Sequence, residues 1–415
     1  MRLRPPGLLA LFLIALSTAT LAPAQTPQGR PGSVLGVEFL GSLSTAQTAA
    51  AIGGFYRRAP DAPAPRYGVD RYRLRFRTSD PGGSPLESRA LLYIPRFAQA
   101  TPAPVFVMAP GTTGLIDRCA TLLERPAVRN WGNYEAQMLS YAGQGYISIL
   151  PDYAFYDDPS RYQSYFIAAY NSRVMLDGAR AVYSFFGRPA ARLIDARPAQ
   201  RVFLAGYSQG AHTVFAATDI AEGYAPELPL AGAIGFGTTT SVEALMKDSP
   251  YFGVYILLAW QQYYGIDPAR VLLPRYASGL ALVAGQRCVD EIPRLYPNAV
   301  VQLYQPRFRE ALLAGELEAY YPELARRLRE NFPGLNPQAQ TVPALIVQGG
   351  ADPISPDRTV EPYARRLCGL GRRLEYVYLP GVHHFYVRQI GFRAALDWMS
   401  RVRSGQRPGN CGRWN

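Results

Sequence analysis

Residues 201–221 read Arg201-Val202-Phe203-Leu204-Ala205-Gly206-Tyr207-Ser208-Gln209-Gly210-Ala211-His212-Thr213-Val214-Phe215-Ala216-Ala217-Thr218-Asp219-Ile220-Ala221. An apolar run, a GxSxG string and a helical pattern follow one another without a gap. Strand, motif and helix in that order are the context in which GxSxG forms a nucleophile elbow. The turn holds the serine in a strained conformation, and larger side chains at the two glycines would collide with the neighbouring strand and helix. Ser208 is therefore the candidate nucleophile.

Outward from this stretch, short apolar runs alternate with longer amphipathic ones. Pro104 to Ala109, Tyr146 to Leu150, Leu230 to Phe236, Ala344 to Gln348 and Leu374 to Leu379 read as strands. Tyr134 to Gly143, Arg173 to Phe186 and Phe392 to Val402 read as helices. Continuous apolar strands separated by helices imply a parallel sheet covered on both faces. Upstream, Arg71 to Arg77 alternates Arg with Tyr, Leu and Phe, and Arg89 to Ile94 is apolar. Asp80-Pro81-Gly82-Gly83 between them supplies turn chemistry, so an antiparallel hairpin is expected. The rhythm breaks between Gly237 and Gln340, a helix-like block rich in aromatics, which reads as an insertion into one α/β sheet domain.

A serine hydroxyl needs a base. His212 lies four residues beyond Ser208 on the elbow helix, so its side chain runs along that helix and is read as structural. His383 and His384 follow the last strand and the turn Pro380-Gly381, and adjacent loop residues cannot both face the serine. His384 is preferred, with Phe385 packing behind it. Asp352, after the strand Ala344 to Gln348, is the carboxylate expected to orient the imidazole; Asp357 is second choice, suited to the first turn of the next helix. An oxyanion hole takes one amide from the residue after the nucleophile, Gln209, and one from the loop Ala109-Pro110-Gly111-Thr112-Thr113-Gly114, where Thr112 is the first candidate and Gly111 the next.

The chain resembles the secretory lipase group of α/β-hydrolases, the fungal lipase A type and its bacterial relatives. The resemblance rests on GYSQG, the GTTG loop followed by Asp117-Arg118-Cys119-Ala120, Gly145-Tyr146 leading to Pro151-Asp152-Tyr153, and Leu176-Asp177-Gly178-Ala179-Arg180-Ala181. It runs from about Val34 to the end, the insertion excepted. It implies the α/β-hydrolase fold, with a mostly parallel sheet flanked by helices and a helical cap between the sixth and seventh strands. Two departures stand out: Pro110 occupies the place where a histidine is often found, and Ala154-Phe155-Tyr156 replaces a Gly-rich stretch.

Bulk properties bound the reading. At 415 residues, 48% apolar and 18% charged, the chain is neither disordered nor a polytopic membrane protein. Arg2 and Arg4, the run Leu8 to Leu16 and Ala22-Pro23-Ala24 form a signal peptide pattern, giving residues 1–24 as a leader and a secreted or periplasmic product. The domain reading is then 25–236 with 341–415 as the catalytic domain and 237–340 as the cap. The formal charge of +12 is spread over scattered arginines, with Lys247 the only lysine, so no nucleic-acid partner is indicated. Cys119, Cys288, Cys368 and Cys411 fit two disulfides in an exported chain; three pairings are open, and Cys119–Cys288 with Cys368–Cys411 is favoured because the second ties down the tail.

The resulting expectation is a serine ester hydrolase, a carboxylesterase or lipase, acting on a small-molecule or lipid ester. A transient contact with a lipid interface is compatible with it. No cofactor or metal is expected, since no ligand cluster or nucleotide fingerprint occurs. A serine peptidase of the same fold is the alternative, and a catalytically silent binding protein the next. The apolar stretch Tyr251 to Trp260 is too short to span a bilayer. Tyr207, Tyr255 and Trp260 are the substrate-binding candidates, against the equally open reading that this stretch is a helix buried in the cap's own core.

Overall fold

The computed structural model describes residues 29–414, so the leader expected over 1–24 lies outside the described residues. Nine strands form one sheet in the order β1-β2-β3-β5-β4-β6-β7-β8-β9. β1 (Val34–Leu43), β2 (Val69–Ser79) and β3 (Pro85–Pro95) run antiparallel to their neighbours, and β3 also pairs antiparallel with β5 (Ile147–Pro151). From β5 through β4 (Thr101–Ala109), β6 (Ala196–Tyr207), β7 (Leu230–Phe236) and β8 (Ala344–Gly349) to β9 (Leu374–Leu379) all pairs are parallel.

The expected hairpin is β2–β3, in unbroken register from Val69 opposite Pro95 to Ser79 opposite Pro85. Its alternation has a simple cause: Leu74 and Phe76 point into the core, while the intervening arginines reach the opposite, wetter face. β1 is a strand that sequence reading did not count. It is an edge strand with no fully buried residue after its first few positions or anywhere else along it, so no apolar alternation marks it. With β1 included, the insertion falls between β7 and β8, one strand later than the family numbering implied.

One face of the sheet is covered by α3 (Ala168–Phe186) and α4 (Gln209–Tyr224). The other carries α2 (Tyr134–Gly143), residues of α1 (Thr45–Gly53) and the helix Phe392–Arg403, whose Trp398 is fully buried. β4 to β8 are thus apolar on both sides, which is why their sequences lack alternation.

Between β7 and β8 the chain forms helices only, among them α5 (Val242–Asp248), α6 (Gly253–Tyr264), Pro306–Ala314 and Pro322–Glu330. They enclose an apolar core of their own, which also takes in Leu115 and Tyr165-Phe166-Ile167 from the sheet domain. The disulfide Cys119–Cys288 fastens this block to the loop after β4, and Val289 N–H donates to Thr113 O at 2.9 Å beside it. Cys368–Cys411 closes the tail onto the helix Asp357–Gly369, so both bridges have the favoured pairing. No helix among the described residues is long and apolar enough to cross a membrane.

Candidate active site

β6 ends at Tyr207 and α4 begins at Gln209, leaving Ser208 alone in the turn at φ 55°, ψ −117°. A non-glycine residue at positive φ costs about 1–2 kcal/mol, held here by the packing on either side. Ser208 N–H donates to Phe236 O at 3.0 Å, which ties the elbow to the end of β7. The flanking glycines are demanded by space: a Cβ at Gly206 would lie 2.1 Å from Gly210 O, and one at Gly210 would lie 2.0 Å from Ala109 O on β4. Helix and neighbouring strand therefore exclude side chains on the two sides of the serine.

The carboxyl edge of the sheet brings the other expected groups to the same end. His384 Nδ1 and Asp352 Oδ2 are 2.6 Å apart, and both residues are buried. The second carboxylate oxygen of Asp352 accepts from Ile354 N–H at 2.9 Å and Ser355 N–H at 2.8 Å, so the carboxylate is fixed in orientation by its own loop. The His384 ring also lies 4.9 Å, centroid to centroid, from the ring of Tyr207, the residue before the serine. With Nδ1 occupied by Asp352, Nε2 is the nitrogen left for a hydroxyl. His383 instead turns toward Phe385, stacking on it at 5.0 Å. Asp357 sits in the first turn of the helix Asp357–Gly369, where its Oδ1 accepts from the Tyr376 hydroxyl.

His212 is fully buried, its Nε2 2.6 Å from Asn331 O and its ring edge-on to Phe166. Burial pushes its pKa down to about 4, so it is neutral at ordinary pH and joins α4 to the end of the insertion.

The loop after β4 is held by phenol hydroxyls. Tyr153 donates to Pro110 O at 2.6 Å, Tyr156 donates to Gly114 O at 2.8 Å, and Thr112 Oγ1 lies 2.8 Å from the Tyr165 hydroxyl. Gly111 N–H donates to Tyr134 Oη at 2.7 Å. That bond removes Gly111 from the oxyanion candidates, because its amide is already committed to a buried phenol. The amides of Gln209 and Thr112 have no protein acceptor among the described residues. Two of these tyrosines belong to the departure from a Gly-rich loop, Tyr153 just before the stretch Ala154-Phe155-Tyr156 and Tyr156 at its end: side-chain hydroxyls here do the positioning. Sequence reading missed them, and the only signal was the density of tyrosine after β5.

A cleft of about 790 Å³ opens at Tyr207, the residue before the serine; Tyr251, Phe252, Ile354, Phe385 and Arg388 are among its walls, while Ser208 and His384 are not among its lining residues. Of the three substrate-binding candidates, Tyr207 lines this cleft. Tyr255 and Trp260 do not. Both are fully buried in the core of the insertion, where Tyr255 Oη donates to Arg287 O at 2.6 Å and Trp260 Nε1 to Tyr165 O at 3.1 Å. The reason is that Gly253 to Trp260 is apolar on every side, and a helix apolar all round is buried all round. Tyr251 and Phe252, just before it, take the place at the cleft wall.

Cys288, Asp290 and Glu291 form the one metal-like cluster among the described residues, but Cys288 is in a disulfide and both carboxylates pair with Arg129. It is a structural knot rather than a metal centre.

The Secretory lipase family profile matches residues 133–258, from the start of α2 through the elbow into α6. Lipase A of Moesziomyces aphidis is 23% identical over 370 residues, covering 81% of this chain and 73% of its own length. Among solved structures, the rice cell wall degrading esterase LipA from Xanthomonas oryzae superposes with a TM-score of 0.72 at 18% identity, covering 91% of this chain and 100% of that one. Candida antarctica lipase A in its closed state gives 0.63 at 20% identity, covering 92% and 84%. The chain is thus similar to secretory lipases in sequence across the elbow, and across nearly its whole described length it has the α/β-hydrolase fold.

Proposed function

We propose that this protein hydrolyses carboxylic esters outside the cytoplasm through an acyl-enzyme on Ser208. The observation that carries the proposal is the 2.6 Å Asp352–His384 contact at the same sheet edge as a serine held at positive φ. In this reading His384 Nε2 takes the Ser208 proton as Oγ attacks the ester carbonyl. Asp352, hydrogen-bonded to Nδ1, holds the ring in register and stabilises its positive charge. The amides of Gln209 and Thr112, free of protein acceptors, receive the charge that develops on the carbonyl oxygen. The imidazolium then protonates the leaving alcohol, and a water activated by the same nitrogen releases the acid.

The helical block of residues 237–340 acts as a cap. It leaves the sheet after Phe236, whose carbonyl binds the Ser208 amide, and returns before Asp352, so it overhangs the catalytic edge. Leu282, Leu295 and Val301 on it are exposed apolar residues suited to a transient lipid contact. The apolar cleft wall from Tyr251 and Phe252 suits an acyl chain. Each buried methylene contributes up to about 0.8 kcal/mol to transition-state binding. Rates on soluble p-nitrophenyl esters should therefore rise beyond acetate and peak at medium or long chains. A monotonic fall from acetate, with good cleavage of aminoacyl amides, would instead favour peptide hydrolysis.

A further inference from the structure

The cleft at Tyr207 is not uniformly apolar. Against the wall of Tyr251 and Phe252 stands a wall carrying three arginines, Arg57, Arg58 and Arg388. Arg388 is almost fully buried, yet no carboxylate pairs with it. Its Nη1 donates to Gln137 Oε1 at 2.6 Å and its Nη2 to Gly132 O at 2.5 Å, both neutral acceptors. Its guanidinium is stacked 4.3 Å from the Tyr207 ring centroid and 4.6 Å from that of Tyr134. Its direct partners are thus rings and neutral oxygens; Glu124, a carboxylate on the same segment, is bound by the amides of Trp131, Asn133 and Tyr134 rather than by Arg388. Arg58 lies 4.4 Å over the Tyr386 ring, and neither Arg57 nor Arg58 makes an ion pair among the described residues. Asp290 is the sole acid on the cleft wall among the described residues, and Arg129 at 3.2 Å already offsets it.

The exposed guanidinium groups of Arg57 and Arg58 attract an anion through a field that salt screens, and their place on a concave wall, with Arg388 buried behind, focuses that field. A protein that needed this wall only for packing could have covered it with apolar side chains. We propose that the cleft binds esters carrying an anionic group, a carboxylate, on the part of the substrate that lies against Arg57, Arg58 and Arg388. The inference rests on the ester-hydrolase reading above and narrows its substrate class. The negative group would sit near the two exposed arginines, with Arg388 supplying a fixed positive background behind Tyr207.

Two substrate pairs test it and show which side of the ester carries the charge. On the acyl side, the mono-p-nitrophenyl ester of glutaric acid is compared with p-nitrophenyl pentanoate. On the alcohol side, 4-acetoxybutanoate is compared with butyl acetate. The readout is the ratio of kcat/KM for the charged member to that for the neutral one. In at least one pair the ratio should fall about tenfold in Arg57→Gln/Arg58→Gln. It should fall similarly in the unaltered protein when ionic strength rises from about 0.01 M to about 1 M, which shortens the screening length from about 30 Å to about 3 Å. The salt arm needs no variant, so misfolding of the double mutant leaves the proposal exposed to refutation. Ratios that move with neither salt nor substitution in both pairs overturn it while leaving ester hydrolysis intact. Failure to hydrolyse any of the four esters would overturn the ester-hydrolase reading and this inference with it.

Discussion

Gly237 follows β7 at φ +50°, and a Cβ built on it would lie 2.9 Å from His384 Nδ1, 3.1 Å from His384 Cε1 and 3.2 Å from Asp352 Oδ2. Gly237→Ala would therefore press a methyl group against the very contact that pairs the two side chains. Restoring ordinary separation requires the imidazole or the carboxylate to move by about 0.5 Å. The change also places a side chain in the left-handed region, at about 1–2 kcal/mol of stability. Gly315→Ala separates the two effects: it sits at φ +74° with nothing within 4 Å of the added carbon. Both variants should lose comparable stability in denaturant titrations. Gly237→Ala alone should lose about 10- to 100-fold in kcat, with KM nearly unchanged, because the bound ester is untouched while the base is misplaced. Equal kcat values for the two variants would show that the Asp352–His384 geometry is not what turnover depends on.

Asp352→Asn should reduce kcat about 10⁴-fold by holding the wrong imidazole tautomer, whereas Asp357→Asn, which loses only the Tyr376 hydroxyl, should remain active; steady-state kinetics on one soluble ester decides. His212 binds a proton at about 4 when folded and near the ordinary imidazole value of 6.5 when unfolded, so the unfolded chain takes up the proton first as pH falls. Stability from this group is intact above pH 6.5, declines between there and pH 4, and is lost below; His212→Gln should flatten that limb by up to about 3 kcal/mol in urea titrations at a series of pH values. Titration of the denatured, unreduced protein should find no free thiol, as both bridges are closed. With a sequence separation of 169 against 43, Cys119–Cys288 should contribute more than Cys368–Cys411, about 5 against about 4 kcal/mol on the chain-entropy scale, read from the melting of the Cys→Ser pairs.

The strands that lie between covering helices were legible because burial on both faces leaves continuous apolar runs: β7 has the bounds read from sequence, and β6 extends the run Arg201 to Ala205 at both ends, to Ala196 and Tyr207; the edge strand β9, only partly buried, also has the bounds read from sequence. β1 escaped because an exposed edge strand is under no demand to alternate. Ser208, Asp352 and His384 could be named because each follows a readable strand end, where local chain order reports position in space. What could not be read were contacts made across the sequence. Nothing near Gly111 announces that Tyr134, 23 residues on, takes its amide, or that Gly237 is kept bare by a histidine far along the chain. Tyr255 and Trp260 were misplaced for the same reason: an apolar aromatic run looks alike whether it lines a cleft or fills a core, and only the surrounding helices decide.

The most direct measurement is covalent labelling with a fluorophosphonate followed by peptide mapping. The account predicts a single adduct on Ser208, absent in Ser208→Ala together with about 10⁴-fold or more of the turnover. An adduct on another serine, or a Ser208→Ala variant that hydrolyses esters at the unaltered rate, would contradict it.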